Sequence, residues 1–220
     1  MLKEVFDKIA PGWYNFRHWS IFSSELESLA ERWQAEHWQK GSLLNIGCAH
    51  GPDFLPFRKD FTLYGVDFSG EMLNLAGKYA HKFEFTVNLF QADVRKLPFT
   101  DESFDKAISI ATYHHIEGKN EQLTALTELK RVLKPGGEAF ITVWNHWQPR
   151  FWSSGSETTV PWRIKEETLY RYYHLFSYPE LEKLVKQAGF RILKSSPESS
   201  HRFPLKYFSR NICLLVKKPD

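Results

Sequence analysis

Two cysteines in 220 residues are too few for a disulfide framework. Neither Cys48 nor Cys213 has a CxxC partner or a histidine pair at ligand spacing, so no metal site is expected. No apolar run approaches the roughly 18–20 residues that span a bilayer, and the opening MLKEVFDKIAPGW lacks the apolar centre of a signal peptide. A cytoplasmic protein without a membrane partner is the expectation. Repeats and low-complexity linkers are absent, and no G-x-G-x-x-G turn is present to bind a dinucleotide. At this length one domain over residues 1–220 is expected.

Aromatic residues, by contrast, make up 16% of the chain. The net charge of +3 is unevenly spread: residues 1–130 hold 14 Lys+Arg against 18 Asp+Glu, net −4, and residues 131–220 hold 15 against 8, net +7. Such asymmetry fits a polyanionic partner or ordinary surface composition equally well. The run VPWRIKEETLYRYYHLFS, residues 160–177, interleaves cations with aromatic rings. Alone, it reads as a nucleic-acid platform, a piece of core or the lid of a small-molecule pocket.

From Leu43 onward, short apolar runs alternate with amphipathic stretches, the pattern of βαβ units around a parallel sheet. The runs are SLLNIG (42–47), FTLYGVD (61–67), EFTVNLFQAD (84–93), FDKAISIA (104–111) and GEAFITVW (137–144). Ser69 is placed to cap a helix over 70–80, and apolar spacing predicts another over 120–133, stopped by Lys134-Pro135-Gly136-Gly137. Residues 1–40 read as two helices divided at Pro11-Gly12, forming a lid over the ligand-binding edge. Ser177-x-x-Glu180 is a capping box for a helix over 179–188, and strands near 190–194 and 211–217 can pair antiparallel. Residues 146–176 form a long connection that the sheet does not need, so a substrate-side insertion is expected there.

In such a sheet, ligands bind beyond the carboxyl ends of the strands. Those ends carry the small-residue turn Gly47-Cys48-Ala49-His50-Gly51, then Asp67, Asp93-Val94, and Ala111-Thr112-Tyr113-His114-His115. Asp67 lies about twenty residues past Gly47, the distance at which an acid reaches ribose hydroxyls.

The stretches LLNIGCAHG, YGVDFSGEML, FQADVRKLPFTDESFDKAISIATYHH and LKRVLKPGGEAFITVW resemble the class I S-adenosylmethionine-dependent methyltransferases. The resemblance implies a Rossmann-like α/β fold: a seven-stranded, mostly parallel sheet with one antiparallel strand near the C-terminus and helices on both faces. It also implies S-adenosyl-L-methionine as cofactor. Asn45, Gly47, Cys48, Ala49 and Gly51 would meet its amino acid part, and Asp67 its ribose. Phe68 and Met72 would flank the adenine, Asp93 and Val94 would bond it, and Ile110 and Ala111 would lie beside the methionine. Asn45 replaces the usual acid and Ala49 the usual glycine, which leaves a non-catalytic cofactor-binding scaffold as one reading.

FDKIAPGWYNFRHW, FDKAISIATYHHI and VPWRIKEETLYRYYHLFSYPELEKLVKQAGF are further similar to the tRNA wobble-uridine carboxymethyl methyltransferases. That likeness implies esterification of 5-carboxymethyluridine in tRNA and a small zinc-binding activator subunit as partner. A carboxylate is ionised at neutral pH and needs cations rather than a base. Arg17 and Arg163 are the candidates to hold it, with His114 and His115 on the acceptor side. Trp162, Tyr172, Tyr173 and His174 are candidate substrate contacts, and Arg202 and Lys206 belong to a C-terminal basic-aromatic group suited to an RNA backbone. The competing reading is a small-molecule methyltransferase with His114 or His115 as general base. The bland alternatives are structural histidines bonding loop backbone, and an Arg17 salt bridge to Glu25 or Glu27.

Overall fold

The structure, a computed structural model, describes residues 2–35 and 41–220; the parts of the expected lid at residues 1 and 36–40 lie outside them. Helices α1 (Leu2–Phe16) and α2 (Ser23–Ala35) precede strands β1 (Gly41–Ile46) and β2 (Phe61–Asp67). Helix α3 (Gly70–Lys82), strands β3 (Asn88–Gln91) and β4 (Phe104–Ile110), helix α4 (Lys119–Val132) and strand β5 (Leu133–Trp144) follow. Strands β6 (Glu157–Ile164) and β7 (Glu167–His174) come next. Helix α5 (Tyr178–Gln187) and strands β8 (Arg191–Pro197) and β9 (Asn211–Lys217) close the chain.

Seven strands form one sheet in the order β3-β2-β1-β4-β5-β9-β8. The first five are parallel, and β9 runs antiparallel to both β5 and β8. The strand order reverses between β1 and β4, so their carboxyl ends open a crevice. The centre of β4 is buried throughout, as a strand covered on both faces must be.

Each face has its own apolar layer. Leu126, Leu129 and Val132 of α4 pack with Leu181, Leu184 and Val185 of α5 against one side. Phe22, Leu26, Leu29 and Trp33 cover the other, meeting Leu43, Leu63, Ile108 and Phe140. On that second face Glu138 accepts hydrogen bonds from the Arg32 guanidinium at 2.7 and 2.8 Å and from the Trp33 indole at 2.8 Å, which fixes α2 to β5.

Three expectations need correction. The N-terminal helices do not part at Pro11-Gly12: α1 runs through Pro11, because Phe6, Ile9 and Ala10 bury one continuous face. Gly12 lies within this helix, where a Cβ would meet the Trp162 ring at an ordinary contact distance of 3.7 Å. The third run forms a strand only over Asn88–Gln91. Its beginning belongs to the end of α3, where Glu84 has φ +54° and the Phe85 amide donates to the Ala80 carbonyl.

Finally, the connection after β5 is an ordered hairpin. Strands β6 and β7 pair in register from Glu157↔His174 to Ile164↔Glu167. Along β7, Leu169, Arg171 and Tyr173 are buried while Tyr170 faces solvent, the alternation of a strand with one covered face. The Ser177–Glu180 capping box is present.

Candidate functional site

The loop after β1 is shaped by its small residues. Gly47 has φ +70°, and a Cβ on it would lie 2.2 Å from the Thr112 hydroxyl, so a side chain is excluded by the neighbouring turn. Ala49 adopts a left-handed φ of +46°. Its amide donates to one Asp67 carboxylate oxygen at 2.9 Å while the Ser69 amide donates to the other at 2.9 Å. Asp67 thereby ties the first two strand ends together. Burial pushes its pKa up to about 6, against the pull of those amides.

Above this floor lies a cleft of about 970 Å³. Helix α1 covers it. The Ser69 hydroxyl, which caps α3 by accepting the Met72 amide, donates to Asp7 of α1 at 2.6 Å. Phe6 packs between Phe68 and His115, with ring centroids 5.3 and 5.0 Å away.

At the other end stand His114, His115, Trp144 and Tyr173. His114 Nδ1 accepts the Trp144 amide at 3.1 Å. His115 Nδ1 is 2.9 Å from the Tyr172 carbonyl, to which it donates, leaving Nε2 unprotonated. Burial holds His114 well below the usual imidazole range and brings His115 to about 4, so both rings are neutral at pH 7.

Two cations stand at this end: Arg17 lines the cleft, and Arg171 lies behind its wall, against Trp13 and Tyr173. Arg171 is 4% exposed and lies 5.2–5.5 Å from the centroids of Trp162, Trp13 and Tyr173. Arg17 sits 5.3 Å from the Trp13 ring. The Nε atoms of both are buried without a hydrogen-bond partner, and neither forms an ion pair among the described residues. Burial lowers both pKa values, and Tyr173 interacts with both; a guanidinium nevertheless stays charged. A buried cation such as Arg171 without an ion-pair partner is an expensive arrangement in an isolated chain; Arg17 is partly exposed and is attracted by the buried Asp53.

Of the residues expected at the cofactor, Gly47, Ala49, Asp67, Phe68, Met72, Asp93, Val94, Ile110 and Ala111 line the cleft. Asn45 lies behind it, fully buried, with neither amide atom partnered. Cys48 is fully buried in the core beside Phe54, and Gly51 begins the following turn without reaching the cleft. Asp93 is committed to Arg95, which lowers its pKa and occupies both carboxylate oxygens.

On the acceptor side, Arg17, His114, His115, Tyr172 and Tyr173 line the cleft. Arg163 does not: the two-residue alternation of β6 turns it to solvent. Trp162 backs Trp13 at 5.4 Å. His174 turns away to Glu180, 2.8 Å distant. Arg202 donates to the Ser199 carbonyl, and Lys206 lies over Tyr178 at 4.7 Å; both are outside the cleft.

Sequence reasoning missed Phe6, Trp13 and Trp144, which line the cleft, and Arg171, buried behind its wall. The signal for the last was its place between Leu169 and Tyr173 at strand period, which puts a guanidinium on a covered face.

A family profile for the methyltransferase domain matches residues 44–141. In fold, the chain is similar to an S-adenosylmethionine-dependent methyltransferase from Clostridium acetobutylicum, with TM-score 0.78, 15% identity and 98% and 99% of the two chains covered. It is also similar to a Haloferax volcanii methyltransferase solved in complex with the Trm112 methyltransferase activator, with TM-score 0.66, 18% identity and 98% of each chain covered.

A methyltransferase domain over residues 44–141, a cleft built at its strand ends and the shared fold together support an S-adenosylmethionine-dependent methyltransferase. Within that class it is similar to the tRNA (carboxymethyluridine(34)-5-O)-methyltransferase of Schizosaccharomyces pombe, 28% identical over 219 residues covering 87% of this chain and 89% of that one. It spans only 20% to 31% of several longer tRNA methyltransferases. Its relatives also include a demethylmenaquinone methyltransferase.

One prediction follows from Asp67. An acid whose pKa lies near 6 must be ionised to accept two ribose hydroxyls, so binding weakens as pH falls through 6. Calorimetric titration with S-adenosylhomocysteine should give an affinity lower by about tenfold at pH 5 than at pH 7. A flat profile over that range would exclude Asp67 as the ribose ligand.

Proposed function

We propose that this methyltransferase esterifies the carboxymethyl group of a wobble uridine in tRNA. The observation that carries the reading is the pair of guanidinium groups at the acceptor end: Arg17 on the cleft wall and the buried Arg171 behind it, each with its Nε unpartnered and neither in an ion pair among the described residues. A substrate carboxylate would satisfy both. The likeness to the S. pombe enzyme points to the same chemistry.

The residues present suit the cofactor. Asp67 would accept the ribose hydroxyls, Phe68 and Met72 would flank the adenine, and the backbone of Gly47 and Ala49 would admit the amino acid part. Asn45, buried without partners behind this loop, has amide groups free for a polar contact. When bound, S-adenosylmethionine supplies a methyl group on a positively charged sulfur.

The chain's own contribution is orientation and exclusion of water. Arg17 and Arg171 would hold the carboxylate in line with the methyl group. An ionised carboxylate acceptor would require no proton to be removed by the chain. The neutral His114 and His115 would give a polar wall that does not repel the sulfonium. Because the ester is uncharged, the two arginines would hold product less tightly than substrate, which favours release.

A small-molecule acceptor deprotonated by histidine fits less well. His114 has spent Nδ1 on a backbone amide, and a base with a pKa near 4, as for His115, removes protons poorly.

The test is incubation with methyl-labelled S-adenosylmethionine and bulk tRNA carrying 5-carboxymethyluridine, followed by mild alkali. Label should enter tRNA and leave as methanol, at a rate that is nearly flat from pH 6 to 8 when S-adenosylmethionine is saturating. Absence of label from every tRNA sinks the reading, and a rate that rises through pH 6–7 at saturating cofactor would favour histidine base catalysis. The activator implied by the family likeness is proposed with it: adding such a subunit should raise the rate.

A further inference from the structure

Beyond the cleft, two loops meet at the carboxyl end of β5. Residues 145–156 follow that strand, and residues 198–210 lead into its neighbour β9. The Asn145 side-chain amide donates to the carbonyls of Tyr207 and Ser209 at 2.7 and 2.8 Å. Gln148 donates to those of Asn145 and Arg210 at 2.9 and 3.2 Å. Glu198, itself buried, accepts the amides of Arg210 and Asn211. The loops are therefore one built surface.

That surface shows what a core would hide. Trp152 is 59% exposed and Phe203 56%, linked through Phe208 by ring separations of 6.1 and 5.7 Å. Cations stand among them: Arg150, Arg202 and Arg210 are exposed and form no ion pair among the described residues. Neither loop carries an exposed carboxylate, since the single acid of the two stretches is the buried Glu198. Beneath it the buried Phe151 packs 5.8 Å from Trp144, which lines the cleft and stacks 4.3 Å from Tyr173, so the surface lies next to the acceptor end. The field of Arg150 reaches Tyr173 and Arg171.

We infer that this surface stacks and neutralises the nucleotides flanking the one that enters the cleft, with Trp152 and Phe203 as base platforms and Arg150 facing phosphate. This deepens the tRNA reading and rests on it. Flat rings interleaved with unpaired cations suit a single-stranded polyanion, whose bases all offer a π-face. Three exposed arginines with no exposed carboxylate among them favour a partner of one sign, a polyanion.

Binding of an anticodon stem-loop containing 5-carboxymethyluridine, followed by fluorescence anisotropy, provides the test. Trp152→Ala and Phe203→Ala should each raise Kd by roughly ten- to a hundredfold, and Trp152→Phe should restore most of the loss. Arg150→Gln should lower the slope of log affinity against log salt by about one. Cofactor affinity and melting temperature should not move, since both aromatic rings are exposed.

Stem-loop affinity unchanged in the alanine variants overturns the surface, even where the wild type methylates tRNA. Binding lost in those variants, from a wild type that binds RNA without methylating it, supports the surface and overturns the esterification. A protein subunit that shields Trp152 and Phe203 without altering RNA affinity also overturns the surface.

Discussion

Arg171→Met should lower methyl transfer to tRNA by roughly a hundred- to a ten-thousandfold while leaving cofactor affinity unchanged and the fold no less stable. Loss of one partner from a buried charge-assisted pair is worth about 3–5 kcal/mol, which sets the range for transfer. Stability should respond in the opposite sense. In the free chain the guanidinium is buried, its Nε lacks an acceptor, and its compensation comes from the faces of Trp13, Trp162 and Tyr173. A methionine of similar reach packs on the same rings without a desolvated charge. Thermal melting and single-turnover transfer measured on one preparation separate the two effects. A variant that melts earlier and transfers normally would mark Arg171 as structural. Arg163→Ala, at an exposed position on the other face of the hairpin, should leave transfer near that of the wild type.

The second large effect is expected at Gly47→Ala. The added methyl would approach the Thr112 side chain to 2.2 Å, and that side chain cannot turn away freely because its hydroxyl donates to the Ile46 carbonyl at 3.1 Å. The left-handed φ of +70° adds about 1 kcal/mol of strain. S-adenosylhomocysteine affinity should fall by at least a hundredfold, with melting several degrees lower. Removing the obstacle in the double variant Gly47→Ala/Thr112→Gly should recover part of both losses. If the single variant binds normally, the loop is not the rigid floor that its contacts describe.

Much of the sheet was legible because fully covered strands leave short apolar runs punctuated by turn residues. The runs at 61–67 and 104–111 match β2 and β4 to within a residue, and the cap at Ser69 and the capping box at Ser177 formed as their spacing indicated. The cofactor end of the cleft was readable for a related reason: strand ends are close to their own residues in sequence.

The acceptor end was not, because it is assembled from α1, the turn after β4 and a hairpin more than forty residues further on. Reading 146–176 as a connection hid the period-two pattern that buries Arg171 and exposes Arg163. Pro11 misled similarly: the local rule predicts a break, but a helix with three buried residues on one face holds its line. Arg202 and Lys206, read from composition as part of an RNA-backbone surface, stand in the segment before β9, outside the cleft.

The bond from Ser69 to Asp7 joins the cap of the helix beneath Phe68 to the segment that covers it. One hydroxyl thus serves two helices, closing the N-terminal end of α3 with one hydrogen bond and fastening its cover with the other, so that a change at Ser69 is felt in both.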